Sequence, residues 1–302
     1  MSFLNPVNEP VLRFKSTDVG APKINYNARV AGDVKAVLKA CLVTGYGAIA
    51  SAGWTAANEV AHVIEFVSPS ATMIDYRLGI DDTSATQTAW YHQYQGARTT
   101  TSSASLKHAA NANWTHADNG WQLIVTLQGL FFVEHVYSTT ISAQMARLTY
   151  FGRLKSAINN TTDKNIIFWT TGLVTPNALP SRFFMGVDNV LPYTDIESYN
   201  NKLKFCGASV SVLDNTFSSL AVTSQIDMQS AVYLKTTNQV VAEQVGLLIQ
   251  DGKTTVNSYG VKDEVLNGRP VLKVYVGASE PDKDSVNWFS VTAMIYLDSW
   301  GY

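Results

Sequence analysis

Residues 30–55, VAGDVKAVLKACLVTGYGAIASAGWT, decide how the rest of the chain is read. Val34, Val37, Leu38, Cys41 and Leu42 recur at i, i+3, i+4, i+7 and i+8, which places them on one face of an α-helix. Asp33, preceded by Gly32, is the expected N-cap, because a carboxylate there accepts a backbone N–H that the first turn leaves unpaired. Gly45 and Gly47 end the pattern, and one of them is expected in the left-handed conformation used at helix C-termini. The helix is therefore placed from Asp33 to Thr44, followed by a turn and the approach to a first strand. No other segment carries so clear a helical period.

The remaining apolar segments are short and bounded by turn residues, as strands are. VAHVIEFV (60–67) stops at Ser68-Pro69-Ser70, MIDYRLGI (73–80) at Asp81-Asp82-Thr83, and AWYHQYQ (89–95) at Gly96. Residues 122–127 and 130–137 form an expected hairpin across Gln128-Gly129, and 146–151 is a strand ended by Gly152. Further short runs lie at 165–170, 182–187, 205–213, 219–222 and 231–234, and the most hydrophobic, 240–249, stops before Asp251-Gly252. VLKVYVGA follows Pro270, and in WFSVTAMIYLD the residues Phe289, Val291, Ala293, Ile295 and Leu297 alternate, the mark of a half-buried strand. The expected fold class is all-β, mainly an antiparallel β-sandwich or barrel, with one or two short helices. Residues 1–29 read as an extended N-terminal arm with an edge strand at 11–14, either a clasp on a neighbour or a flexible end. Residues 30–302 form the β-rich body, with a candidate subdomain boundary near 155–165, and residues 97–120 read as a long polar loop containing a short strand.

The protein has 302 residues and a formal charge of −2, and only 15% of its residues are charged, against roughly 25% in an average soluble domain. A surface rich in hydroxyls and amides suits contact with other proteins, because charge is costly to desolvate at an interface core. It suits an ordinary β protein of low charge equally well. Near-neutrality without a Lys/Arg run lacks the basic footprint of a nucleic-acid binder. Cys41 and Cys206 are the only cysteines, and two buried free thiols are expected rather than a disulfide. The start, MSFLNPVNEPVLRF, has no signal-peptide pattern, and no apolar run approaches the ~20 residues of a membrane helix. The expectation is a protein made and folded in a cytoplasm, with no membrane span.

Candidate chemistry rests with the acids, histidines and aromatics. His62, His92, His108, His116 and His135 show neither HExxH nor close pairing with cysteine, so no metal site is expected. Asp81-Asp82 with Asp75 is read as a turn rather than a calcium loop, since the EF-hand pattern is missing. Asp75, Asp81, Asp82 and Glu134 are the candidate glycosidase acids, a pair that leaves no linear signature. GYGAIASAG follows a helix, where a phosphate loop follows a strand. Trp90, Tyr91 and Tyr94 are candidates for sugar stacking or interface anchoring, with core packing as the alternative. No catalytic, cofactor-binding or metal residue is assigned, and the protein is expected not to be an enzyme.

Several blocks resemble a family of structural proteins of tailed bacteriophages. They are Gly20-Ala21-Pro22, the helix VLKACLVTGYG (37–47), Ala52-Gly53-Trp54-Thr55, YRLGIDDTSA (76–85) and TYFGRLKS (149–156). Arg153 stands where the family pattern leads one to expect an acid, and nothing beyond residue 200 takes part. The resemblance implies a non-enzymatic virion component, of the tail or baseplate, working in viral tail assembly as a homo-oligomer among other virion proteins. A capsid decoration or neck protein is the alternative, and a tail-associated carbohydrate-binding or glycan-hydrolysing protein is the rival of another class. In this reading the protein is assembled in the bacterial host cytoplasm and resides in the virion.

Overall fold

Most of the short apolar segments become strands; the expected run at 219–222 and residues 207–213 of another lie outside the described residues. The structure, a computed structural model, describes residues 8–25, 29–85, 87–94, 97–98, 104–107, 112–113, 120–138, 143–156, 166–170, 184–186, 203–206, 226–234, 239–251, 261–276 and 291–302. The sequence opens with β1 (Asn8–Pro10) and β2 (Leu12–Lys15), then helix α1 (Asp33–Lys39), which runs directly into a π-helical turn (Ala40–Thr44). Next come β3 (Thr55–Ala57), β4 (Val63–Val67), β5 (Tyr76–Asp81), β6 (Gln87–Tyr94), β7 (Ala97–Arg98), β8 (Ala104–Lys107) and β9 (Ala112–Asn113). The middle of the sequence gives β10 (Gly120–Thr126), β11 (Gly129–Ser138), β12 (Ala143–Arg153), β13 (Lys155–Ser156), β14 (Ile166–Thr170) and β15 (Phe184–Gly186). The last strands are β16 (Leu203–Cys206), β17 (Ile226–Leu234), β18 (Gln239–Asp251), β19 (Val261–Leu266), β20 (Arg269–Val276), β21 (Val291–Tyr296) and β22 (Ser299–Gly301).

A six-stranded sheet has the order β3-β4-β5-β6-β7, with β8 also on β6. A fourteen-stranded sheet follows the path β16-β17-β18-β21-β20-β12-β11-β10-β2, with β9, β13, β14, β15 and β19 attached. β1 and β22 form a ladder of their own. Among the described residues pairing is antiparallel except for one parallel pair, Ala146 with Val276, joining β12 to β20. The ends of the large sheet, β16 and β2, do not pair with each other, so the barrel alternative is replaced by open, layered sheets.

The layers meet on β10 and β11. Trp121, Leu123, Val125, Leu130 and Phe132 face one core, which α1 fills with Val34 and Leu38 and the six-stranded sheet fills with Ile64, Phe66 and Leu78. Ile124, Phe131 and Val133 face a second core, filled by Val245, Leu247, Leu272, Val274 and Ile295 from β18, β20 and β21. Successive side chains of a strand point to opposite faces, so two cores demand an unbroken apolar run, which QLIVT and GLFFV supply. The large sheet thus folds over on itself beyond β12, and the β10–β11 hairpin is the middle of three layers.

The described part of the N-terminal segment is tied into this body. β2 lines the edge of β10, with Phe14 opposite Leu123. On its outer side two backbone amides are taken up: the Val11 N–H donates to the Asp298 carbonyl (3.1 Å) and the Lys15 N–H to Asp18 Oδ2 (2.8 Å). Arg13 adds a bidentate pair with Asp263 on β19, at 2.6 and 2.9 Å. Such blunting is how sheets avoid pairing with other proteins. Ladders also cross the position of the expected subdomain boundary, where β12 pairs with β14 and β13 with β18. Residues 157–165 themselves lie outside the described residues.

The helix occupies the expected residues, with Val34, Val37, Leu38, Cys41 and Leu42 fully buried. Its N-cap differs from expectation. Gly32, at φ 96°, holds the N-cap position, and Asp33 is the first helical residue, its carboxylate accepting only the Val30 N–H (3.1 Å). At the other end the Gly45 N–H reaches back five residues to the Ala40 carbonyl (2.8 Å), the wider π spacing. Gly45 (φ 76°, ψ 174°) takes a conformation essentially reserved for glycine, and Gly47 (φ 55°) is the left-handed one. Leu38→Ala should lower stability by about 2–5 kcal/mol in urea unfolding, because the close-packed core cannot collapse around the void. A loss well under about 1 kcal/mol would show that the helix does not organise this core.

Candidate functional site

Asp82 supplies the cap that Asp33 does not. Its Oδ2 accepts the Val34 and Lys35 N–H groups at 2.9 and 3.1 Å, two of the amides that the first turn of α1 leaves unpaired. Its Oδ1 accepts the Thr88 hydroxyl (2.7 Å) and pairs with the Arg29 guanidinium, both side chains being almost wholly buried. Arg29 also donates to Thr88 Oγ1 and to the Ser84 carbonyl. The backbone completes the clasp: the Asp82 N–H donates to the His62 carbonyl and the Gly32 N–H to the Asp82 carbonyl, both at 2.9 Å. A buried charge is tolerated only when paired and hydrogen-bonded, and here a cation, a hydroxyl and a helix end divide that task.

The other end of the helix is capped by the segment that follows it. The Ala52 N–H donates to the Cys41 carbonyl (2.8 Å) and the Trp54 N–H to the Leu42 carbonyl (2.9 Å). The Trp54 indole then reaches the Thr126 carbonyl (3.4 Å) and meets Phe151 edge-on, ring centres 6.3 Å apart. Gly47 lies so close to the 18–22 turn that a Cβ on it would come within 2.6 Å of the Val19 carbonyl oxygen. Tyr46 donates to Asp18 Oδ2 (2.8 Å), and Trp121 donates through its indole to the Pro22 carbonyl (3.1 Å). The five blocks set out above are therefore neighbours in space.

A second polar node sits at the tip of the β10–β11 hairpin. Gly129 and Gly152 face each other across the ladder, and a Cβ on Gly152 would overlap Gly129 Cα at 2.4 Å. Arg153 donates to Gln128 Oε1 (2.8 Å), and Gln128 donates in turn to Glu9 Oε1 (2.6 Å). Tyr150 donates to the Arg153 carbonyl (2.7 Å), and the Thr126 and Tyr302 hydroxyls are 2.9 Å apart. Both ends of the described structure are thus fastened to one turn.

The acids named from the sequence are dispersed. Asp81 accepts the Thr83 N–H and hydroxyl (3.1 and 2.6 Å), the strand-end turn that was expected. Asp75 is half-buried in the turn before β5. Glu134 is buried on β11 directly across from Arg147, at 3.2 Å. A glycosidase pair would need two of these acids to face one cleft. Asp82 and Glu134 each face a guanidinium instead. Among the described residues no three His, Cys, Asp or Glu side chains gather as a metal site, and no helix is long and apolar enough to cross a membrane.

Trp90 is buried against Phe132 (5.9 Å between ring centres), and Tyr91 is buried over Gly79, where a Cβ would meet its ring at 2.0 Å. Neither forms an exposed sugar platform. The side chains of His92, Tyr94 and Cys206, and residues 108 and 116, lie outside the described residues. His62 and His135 are partly and largely buried. Sequence reasoning missed the roles of Arg29, Thr88 and Gln128; Arg29 and Thr88 meet Asp82 only through the topology and carry no linear signal.

No protein-family model matches the sequence, and no curated protein matches it.

Burial pushes the Cys41 thiol well up, with Asp18 adding to the effect, so this free cysteine is held protonated. Burial likewise raises Tyr46, Tyr150 and Tyr302; at Tyr46 the hydrogen bond to Asp18 adds to it. Asp82→Ala should cost about 3–5 kcal/mol in denaturant unfolding, because it strands the Arg29 charge. A cost under about 1 kcal/mol would remove Asp82 from its role. The raised tyrosines define an alkaline limit. In the unfolded state they ionise near pH ~10, so their contribution is complete below that pH and is lost as pH rises above it. Tyrosinate absorbance for these three should appear only together with unfolding; ionisation in the folded protein near pH ~10 would contradict this.

Proposed function

We propose that the protein is a non-enzymatic structural component of a tailed-phage particle, placed in the tail or its baseplate and acting through contacts between subunits. The observation that carries this reading is the convergence of the resemblance-bearing blocks on one helix. Each block serves as a cap, a close backbone approach or a core contact, which is scaffold work rather than chemistry. Low charge supports the same reading, since a weakly charged surface is the less costly one to bury against neighbours in a symmetric assembly. In this reading residues 1–29 and the stretch near 97–120 carry contacts between subunits, and many moderate interfaces add up to a strong one.

Because β1 and β2 complete ladders within their own subunit, removing the whole arm would test folding rather than assembly. The informative variant deletes residues 1–7. It should melt like the full-length protein yet enter particles less well, and normal incorporation would remove this segment from the assembly role. Cryo-electron microscopy of purified particles tests the reading as a whole. Density for this protein in a ring around the tail or baseplate is expected; particles that lack it would overturn the reading.

A further inference from the structure

The β19–β20 hairpin turns on Asn267-Gly268, and the geometry points to Asn267 as a site of spontaneous backbone modification, converting to aspartate and isoaspartate as the protein ages. Both turn residues have positive φ (50° and 80°), the two-residue turn that Asn-Gly favours. Leu266 pairs with Arg269 to close the ladder, so the amide of Gly268 is not one of the ladder's pairing groups. Both residues are exposed, and nothing lies within 4 Å of where a Gly268 side chain would begin. Water and hydroxide therefore reach the turn.

The chemistry needs only water. The Gly268 backbone nitrogen loses its proton and attacks Asn267 Cγ. The new N–C bond closes a five-membered succinimide, and the bond from Cγ to Nδ2 breaks, releasing ammonia. Water then adds to one of the two ring carbonyls. Opening one way leaves an aspartate at position 267 in place of the asparagine, and opening the other leaves isoaspartate, whose backbone is longer by one methylene. Nothing is oxidised or reduced.

The second Asn-Gly of the sequence, at 119–120, is an internal comparison. Gly120 is buried in β10, where a Cβ would come within 2.0 Å of Ser16 Oγ. The exposed turn is also joined to the C-terminal strands. Arg269 holds Asp298 through two hydrogen bonds (2.8 and 2.7 Å), and its guanidinium lies 3.7 Å over the Tyr296 ring. A longer backbone at residue 267 shifts Arg269 relative to both partners, so conversion loosens the hold of β20 on the segment that joins β21 to β22.

The test incubates the folded full-length protein at mildly alkaline pH and follows the peptides carrying Asn267 and Asn119 by mass spectrometry over time. Asn267 should convert with first-order kinetics that quicken with pH, giving two products of equal mass, while Asn119 lags behind. The Asn267→Gly variant keeps a turn-compatible pair and has no amide to lose, so its peptide should stay unchanged and its melting temperature should hold during ageing. Wild-type protein should melt lower as it converts. The same protein aged in denaturant sets the unrestrained rate. Asn267 remaining intact in the folded protein after it has fully converted in denaturant would overturn the proposal.

Discussion

The carboxylate of Asp82, capping a helix whose first amides lie 48 residues earlier while paired with buried Arg29, is the constraint on which the rest depends. A seven-residue α-helix has too few internal hydrogen bonds to offset the cost of nucleation. It persists because its first amides are met by the end of β5, its last carbonyls by the Ala52–Trp54 segment, and its apolar face by two sheets. Remove the carboxylate and three problems arise together: an unpaired guanidinium, unpaired amides and a loosened connection between helix and sheet. Capping from a distant strand also makes the helix and the six-stranded sheet interdependent, since neither end of the interaction is satisfied alone.

The β10–β11 hairpin imposes the second constraint. Burial on both faces leaves it no polar side, so every position must be apolar or matched. Gln122 is matched by Arg13, Glu134 by Arg147 and Gln128 by Arg153. These three guanidiniums come from three places around the hairpin: the N-terminal edge strand, the interior of β12 and its end. The hairpin is thus held by packing above and below and by charge-assisted hydrogen bonds around its margin. Tyr150 and Tyr302 add hydroxyls where Gly129 and Gly152 bring two backbones too close for a side chain.

What the sequence made legible was whatever local patterning encodes. The helix face is visible because side-chain direction repeats with period 3.6, and the hairpin across Gln128-Gly129 and the strands flanking Asp81-Asp82 because short apolar runs stop at turn residues. The missed elements carry no such signal. β19 (VKDEVL) is a half-exposed edge strand whose charges mask its alternation, and β1 and β22 are three-residue strands that exist only because they pair with each other. Asp33 is the local solution for the cap; nothing in a linear reading says that a carboxylate from another sheet arrives first. Arg29 and Thr88 were invisible for the same reason, being parts of a site assembled by topology. For the acids, sequence offered four candidates, and the fold separates Asp81, outward in a turn, from Asp82, inward at a helix end, although they are adjacent in sequence.

A scaffold reading requires the helix and its cap to behave as one piece with the central sheet, and residue-resolved native-state hydrogen exchange measures this directly. The Val34 and Lys35 amides, which donate to Asp82, should exchange only through global unfolding, with the same denaturant dependence as core amides of β10 and β11. Exchange of those two amides by local fraying, much faster than Leu123 or Phe132 and insensitive to denaturant, would contradict the account.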